Sequence, residues 1–130
     1  MMGTRSIPNS SHPTSGEALM KNKPNHNKKV MHSTYFRLYD RSQTSCEAYV
    51  AAIVKYLTIR RGISGFWVGT LAEDLRRPVN DLNYDVAMHI EFENFEAWDA
   101  YSNDPDHAEF VREVGSAASG RRVFDSYLEE

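Results

Sequence analysis

Residues 84–92 carry the clearest periodicity in the chain: Tyr84, Val86, Met88, Ile90 and Phe92 alternate with Asp85, Ala87, His89 and Glu91. A period of two predicts a half-buried strand with one apolar face. Residues 31–39 alternate in the same way, with His32, Thr34, Phe36 and Leu38 on one side and Ser33, Tyr35 and Arg37 on the other. Residues 40–43 break that strand. Thr44 and Glu47 then fit a capping box, in which hydroxyl and carboxylate each satisfy an orphan backbone amide. Beyond it the period becomes helical, with Tyr49, Val50, Ile53, Val54 and Leu57 on one stripe. Arg60, Arg61 and Gly62 supply cations and a permissive residue for the C-terminus of that helix.

A second strand is predicted over residues 66–71, after a turn containing Gly62 and Gly65, followed by a polar connection over residues 73–83. Asn94 is placed to cap a short helix bearing Phe95, Trp98 and Tyr101. Asp104 and Pro105 open another, because the missing N–H of proline costs nothing at a first helical position. Its buried side would carry Phe110, Val111 and Val114, and residues 121–128 return as a last strand, Val123, Asp125 and Tyr127 opposed to Phe124, Ser126 and Leu128. The order is βαββαβ, an α+β ferredoxin-like antiparallel sheet with helices on one face. From the other face Arg37, Asp85, His89 and Glu91 would project beside Tyr35 and Ala87. Such a mixed aromatic and charged surface suits a second copy of the chain, with Arg37 meeting acidic groups such as Asp85 or Glu91.

Composition refines this picture at the N-terminus. Residues 1–29 hold five basic residues against Glu17 alone, a net +4, whereas the remainder carries −7. The early segment is rich in turn formers with almost nothing to bury, so it reads as a disordered basic tail ahead of a domain over residues 30–130. Its cations are scattered and no aromatics lie among them to stack on bases, which favours a solvated tail, or an extension upstream of a later start at Met20 or Met31, over a nucleic-acid arm. It offers no apolar run for a signal peptide, and no stretch of the chain approaches the ~20 apolar residues of a membrane span. The single cysteine, Cys46, can form neither an internal disulfide nor a zinc cage. A cytoplasmic protein, with neither nucleic acid nor membrane as partner, is the expectation.

The run Phe92-Glu-Asn-Phe-Glu-Ala-Trp-Asp-Ala-Tyr101-Ser-Asn-Asp-Pro105-Asp-His107 resembles the signature of the Dabb family, the stress-responsive dimeric α/β-barrel proteins. Its core is an aromatic strand end, a short helix and Tyr-x-x-x-Pro-x-His. The opening strand with His32, the strand from Gly65 to Gly69, Asp85 before the third strand and the Asp125-x-Tyr127 ending fit as well, so the resemblance spans residues 31–128. It implies a homodimer whose two sheets close into a barrel, with a pocket between sheet and helices. It also implies kinship with plant polyketide cyclases that work without a cofactor, in which the histidine matching His107 is the base and the tyrosine matching Tyr101 positions a substrate oxygen. This chain departs from the pattern twice. Asp104 stands where many members have a histidine, and Val86 where the cyclases carry one early in the third strand.

His107 is the strongest candidate for chemistry. It lies three residues into a predicted helix, whose dipole favours the neutral imidazole, while Asp104 and Asp106 favour the charged one. The plainer reading is that Tyr101 and His107 brace the helix break. His32 either lines the pocket or is a satisfied half-buried histidine, and Phe36, Trp98 and Phe110 would wall the same space. His89 and Glu91 share a strand face but lack the three or four convergent ligands of a metal site, so no metal is expected. Cys46 near a helix start is a candidate for a lowered pKa, or a small residue at the core edge. Two functions follow. One is a cofactor-free, cyclase- or lyase-like acid–base catalyst acting on a small carbonyl or aromatic compound. The other is a non-catalytic stress-related dimer that binds a small hydrophobic ligand. A cofactor-independent oxygenase is a third, which no residue singles out.

Overall fold

The computed structural model describes residues 27–58 and 61–129. In chain order the elements are β1 (Val30–Leu38), α1 (Gln43–Leu57), β2 (Ile63–Thr70), β3 (Val86–Phe92), α2 (Phe95–Tyr101), α3 (Pro105–Val114), a 3-10 turn (Gly115–Ala117) and β4 (Ala118–Tyr127). The strands form one antiparallel sheet in the order β2-β3-β1-β4, a ferredoxin-like α+β fold. Most of residues 1–29, the expected tail, lies outside the described residues. At its described end, Lys28 pairs with Glu129, Lys29 pairs with Glu91, and the Lys29 carbonyl accepts from the Leu128 amide.

The alternation of the two central strands translates directly into the core. Val86, Met88, Ile90 and Phe92 of β3 and Val30, Thr34, Phe36 and Leu38 of β1 are buried beneath the helices. From α1, Cys46, Tyr49, Ala52, Ile53 and Leu57 close on them, and Phe110 of α3 completes the layer. Val54 and Val111, expected on buried stripes, are exposed instead. Each stands one position off the inward-facing set of its helix, Ile53 and Leu57 in α1 and Phe110 in α3, and a helix turns 100° per residue.

Several boundaries differ from the expected ones. The first helix starts at Gln43, with Ser42 as its cap accepting from the Ser45 amide, rather than through Thr44. Asp40 holds that cap from behind by accepting from the Ser42 amide and the Ser45 hydroxyl, and Glu47 accepts from the Gln43 side chain instead of closing a box. Arg60 lies outside the described residues, and the C-cap is Thr58. Gly62 has φ +87°, and a Cβ there would stand 2.5 Å from the Ala97 Cβ, so the turn requires glycine on both counts. Gly65 lies inside β2, where the pairing register shifts, and the Trp67 indole folds over it. β3 begins at Val86, leaving Tyr84 at its entry against Tyr35 at 5.0 Å between ring centroids.

The expected partner for Arg37 is corrected by Asp85. That carboxylate is 6% exposed, accepts from the Leu38 amide at 2.8 Å and from Arg41 Nε at 2.8 Å, and so ties β3 to the loop entering α1. Arg37 donates to the Asn83 side chain, and Glu91 is held by Ser64 and Lys29. Hydrogen bonding from Ser64 and Lys29 holds the Glu91 carboxyl below its ordinary range. Asp85 therefore does not project from the open face. Ser33, Tyr35, Trp67, His89 and Phe124 do, and they cluster through edge-on ring contacts of Tyr35 with His89 and Phe124.

Candidate functional site

The candidate residues sort into two groups on the helix-facing side of the sheet. His32 on β1, Tyr101 at the end of α2 and His107 in the first turn of α3 meet through their rings. Tyr101 stands edge-on to both imidazoles, 5.6 Å from His32 and 4.9 Å from His107 between centroids, and 5.2 Å from Phe92. The break between α2 and α3 produces this arrangement. Ser102 ends α2, Asp104 accepts from the Asp106 amide as the cap of α3, and Pro105 takes the first position. The chain thereby turns back on itself and brings His107 over the tyrosine it follows by six residues.

Phe36 and Phe110 form the second group. They do not face each other across an open space; both pack against Tyr49, at 5.0 and 5.6 Å, and are buried in the core. Trp98 joins the first group through its indole N–H rather than as a wall, donating to Asp125 Oδ1 at 3.1 Å.

Asp125 was not among the residues expected to matter chemically. The same Oδ1 lies 2.6 Å from His32 Nδ1. A carboxylate can only accept, so Nδ1 carries the hydrogen, and in the neutral ring Nε2 is left to accept from the buried Thr34 hydroxyl at 3.3 Å. The signal was available only as register: His32 lies opposite Asp125 when β1 pairs with β4, and a period-two pattern puts both on the inner face. Arg121, paired with Phe36 on that strand, adds a positive charge near Tyr49 and Tyr101. Partial desolvation lowers its pKa, whereas burial pushes the Tyr49 phenol up to about 12. Burial also raises the Cys46 thiol, with Asp85 adding to it, so of its two readings the small residue at the core edge fits and the lowered pKa does not.

Two of the clefts among the described residues bear on the two faces of the sheet. One of about 380 Å³ is floored by Phe92, Ala97, Ala100 and Tyr101, with Arg61, Glu93, Glu96 and Asp104 at its rim. The other, of about 440 Å³, lies on the opposite sheet face between Ser33, Tyr35, Asp81, Tyr84, Arg122 and Phe124. Tyr101 is the candidate residue that the first reaches. Among the described residues no group of three His, Cys, Asp or Glu side chains is placed to hold a metal, and no helix is long and apolar enough to cross a membrane.

The sequence profile of the Stress responsive A/B Barrel Domain, Dabb, matches residues 30–128. The chain belongs to the Dabb family. Solved structures agree on the fold. A Dabb family protein with a ferredoxin-like fold from Mesorhizobium loti is 23% identical, with a TM-score of 0.63 over 79% of this chain and 99% of that one. A hydroxynitrile lyase from Passiflora edulis is 20% identical, with a TM-score of 0.64 over 80% and 96% of the two chains. A dimeric ferredoxin-like protein of unknown function from Thermobifida fusca is 18% identical, with a TM-score of 0.63 over 78% and 92%. No curated protein sequence matches this Dabb chain.

Proposed function

We propose that this Dabb protein is a homodimer that performs cofactor-free acid–base chemistry on a small carbonyl or aromatic compound. One observation carries the reading: Tyr101, 6% exposed, touches the imidazoles of both His32 and His107 with its ring and also lines a cleft. A phenol beside a base is the minimum equipment for moving a proton next to a carbonyl. In this reading His107 takes the proton and the Tyr101 hydroxyl holds the substrate oxygen. His32, fixed by Asp125, meets the ligand beside Tyr101, Trp98 steadies that aspartate, and Phe36 and Phe110 support the site from the core, packed on Tyr49. The lyase from Passiflora edulis supports the chemistry class, since a hydroxynitrile lyase needs proton transfer at a carbinol oxygen and works on this fold. The second reading is a non-catalytic dimer binding a small hydrophobic ligand, and the packing of Phe36 and Phe110 on Tyr49 favours it. A panel of small aromatic aldehydes, ketones and α-hydroxynitriles, assayed for saturable binding and for turnover, separates the two. Binding without turnover supports the second. Neither binding nor turnover ends both.

The dimer in this reading closes through the sheet face bearing Tyr35, Arg37, Ala87 and His89. Trp67 and Phe124 each leave more than half of their surface exposed there in a single chain, and the Thermobifida fusca relative is described as dimeric. Ala87 sits near the start of β3 opposite Tyr35 and Gly69. Ala87→Arg is expected to convert the dimer to a folded monomer, because closure would bury a charge with no arranged partner. Light scattering reads the result. A wild-type chain that is monomeric at micromolar concentration sinks the dimer.

A further inference from the structure

His89 occupies the centre of the open sheet face. It lies on β3, opposite Ser33 of β1 on one side and Trp67 of β2 on the other. Its Nδ1 is 2.8 Å from the Ser33 hydroxyl, and its ring stands edge-on to Tyr35 at 5.8 Å. The charged groups around it are all engaged elsewhere. On its own strand Glu91 is bound by Ser64 and Lys29; from β1 Arg37 donates to Asn83; from β4, beyond Tyr35, Arg122 pairs with Asp81. Among the described residues no carboxylate bonds to His89, so an imidazolium there would have a hydroxyl and aromatic edges for company. No hydrogen-bonded anion would offset that charge.

We propose that protonation of His89 opens the dimer, making sheet-to-sheet closure pH-sensitive. The proposal rests on the homodimer reading above. A single sheet face already buries the ring enough to lower its pKa by desolvation. A second sheet laid over it removes more water from the ring. The sign follows. The dimer holds its two His89 rings neutral while separated chains take protons more readily, so affinity is full above the ordinary histidine range. It is lost as pH falls through the His89 pKa of the separated chain, which desolvation already holds below the ordinary histidine value. Each dimer loses two such sites at once, which makes the dependence steep.

The test is the dimer dissociation constant of the full chain, measured by sedimentation equilibrium at pH 7.5 and 5.5. A rise of roughly tenfold or more is expected for the wild type. His89→Gln keeps a hydrogen-bonding group for Ser33 but cannot charge, and its dissociation constant should be nearly the same at both values. The other four histidines remain in that variant, so a slope that survives the substitution belongs to other groups and overturns the proposal. A wild type that is dimeric with equal affinity at both values overturns it as well. A wild type monomeric at pH 7.5 overturns the dimer reading instead, and the inference with it. A second readout needs no variant: the His89 ring resonance should titrate at lower pH in concentrated samples than in dilute ones. Equal midpoints would count against the device.

Discussion

His107→Asn is expected to reduce turnover of any substrate found by roughly 10²–10⁴, the range that general acid–base catalysis contributes, while fold, dimer and ligand binding persist. The substitution keeps a polar side chain of similar reach and removes the proton-accepting ring. Tyr101→Phe should act on the same step from the other side. Its ring keeps the edge contacts with Phe92, His32 and His107, and only the hydroxyl disappears. Asp125→Asn gives a third arm. Because the Trp98 N–H donates to the same oxygen, an amide would keep its own oxygen there for both donors and remove only the negative charge beside His32. If His32 merely lines the ligand, this change should weaken binding and spare the rate at saturation. The bracing alternative predicts another pattern. His107→Asn and Tyr101→Phe would then lower the melting temperature, and binding would fall only with the folded fraction. Thermal scans beside saturation kinetics distinguish the two.

Asp85→Ala is expected to cost about 2–4 kcal/mol of stability, a fall in melting temperature of roughly 10 °C or more at fixed protein concentration. Two donors lose their acceptor at once, and one of them, the Leu38 amide, belongs to a residue only 2% exposed. A buried N–H left without a partner carries its full desolvation cost. Asp85→Asn should be far milder, because the amide oxygen can still accept from Leu38 and the lost ion pair is with Arg41, whose side chain is largely open to water. Equal losses for the two variants would mean that charge, and not the amide hydrogen bond, fixes this corner.

The same aspartate shows where sequence pattern stops. Strand parity puts Asp85 on the open face, yet it stands at the entry of β3, where its carboxylate turns to the Leu38 amide and to Arg41 instead. Within the ladders the rule held. The alternation of Val86, Met88, Ile90 and Phe92 foretold the inner face, and Asn94 and Asp104 cap their helices as their residue types require. The start of α1 was misjudged because Thr44 and Glu47 imitate a capping box, while the real cap draws on Asp40, outside that four-residue window. The strand β4 was read three residues short, since Ala118, Ser119 and Gly120 show no apolar alternation and are held by pairing with β1. Of the candidate site, the Tyr101 and His107 pair was legible from spacing. Asp125 was not, since its partner lies 93 residues away and only the register of two strands joins them. Nor could spacing reveal that Phe36 and Phe110 share Tyr49 as a common neighbour.

The two tryptophans give this molecule a pair of optical reporters on opposite sides of one sheet. Trp67 lies over Gly65 on the open face, 53% exposed, and should emit as a water-exposed indole in the separated chain. Trp98 donates its N–H to Asp125 beneath the helices, beside the ring of Phe95. Closure of two sheets would move the Trp67 emission to the blue and leave Trp98 unaltered. A ligand seated against Tyr101 and His32 would perturb Trp98 and leave Trp67 as it was. Replacing either indole by phenylalanine turns the chain into a single-colour probe, so assembly and occupancy can be followed separately in one cuvette without an added dye.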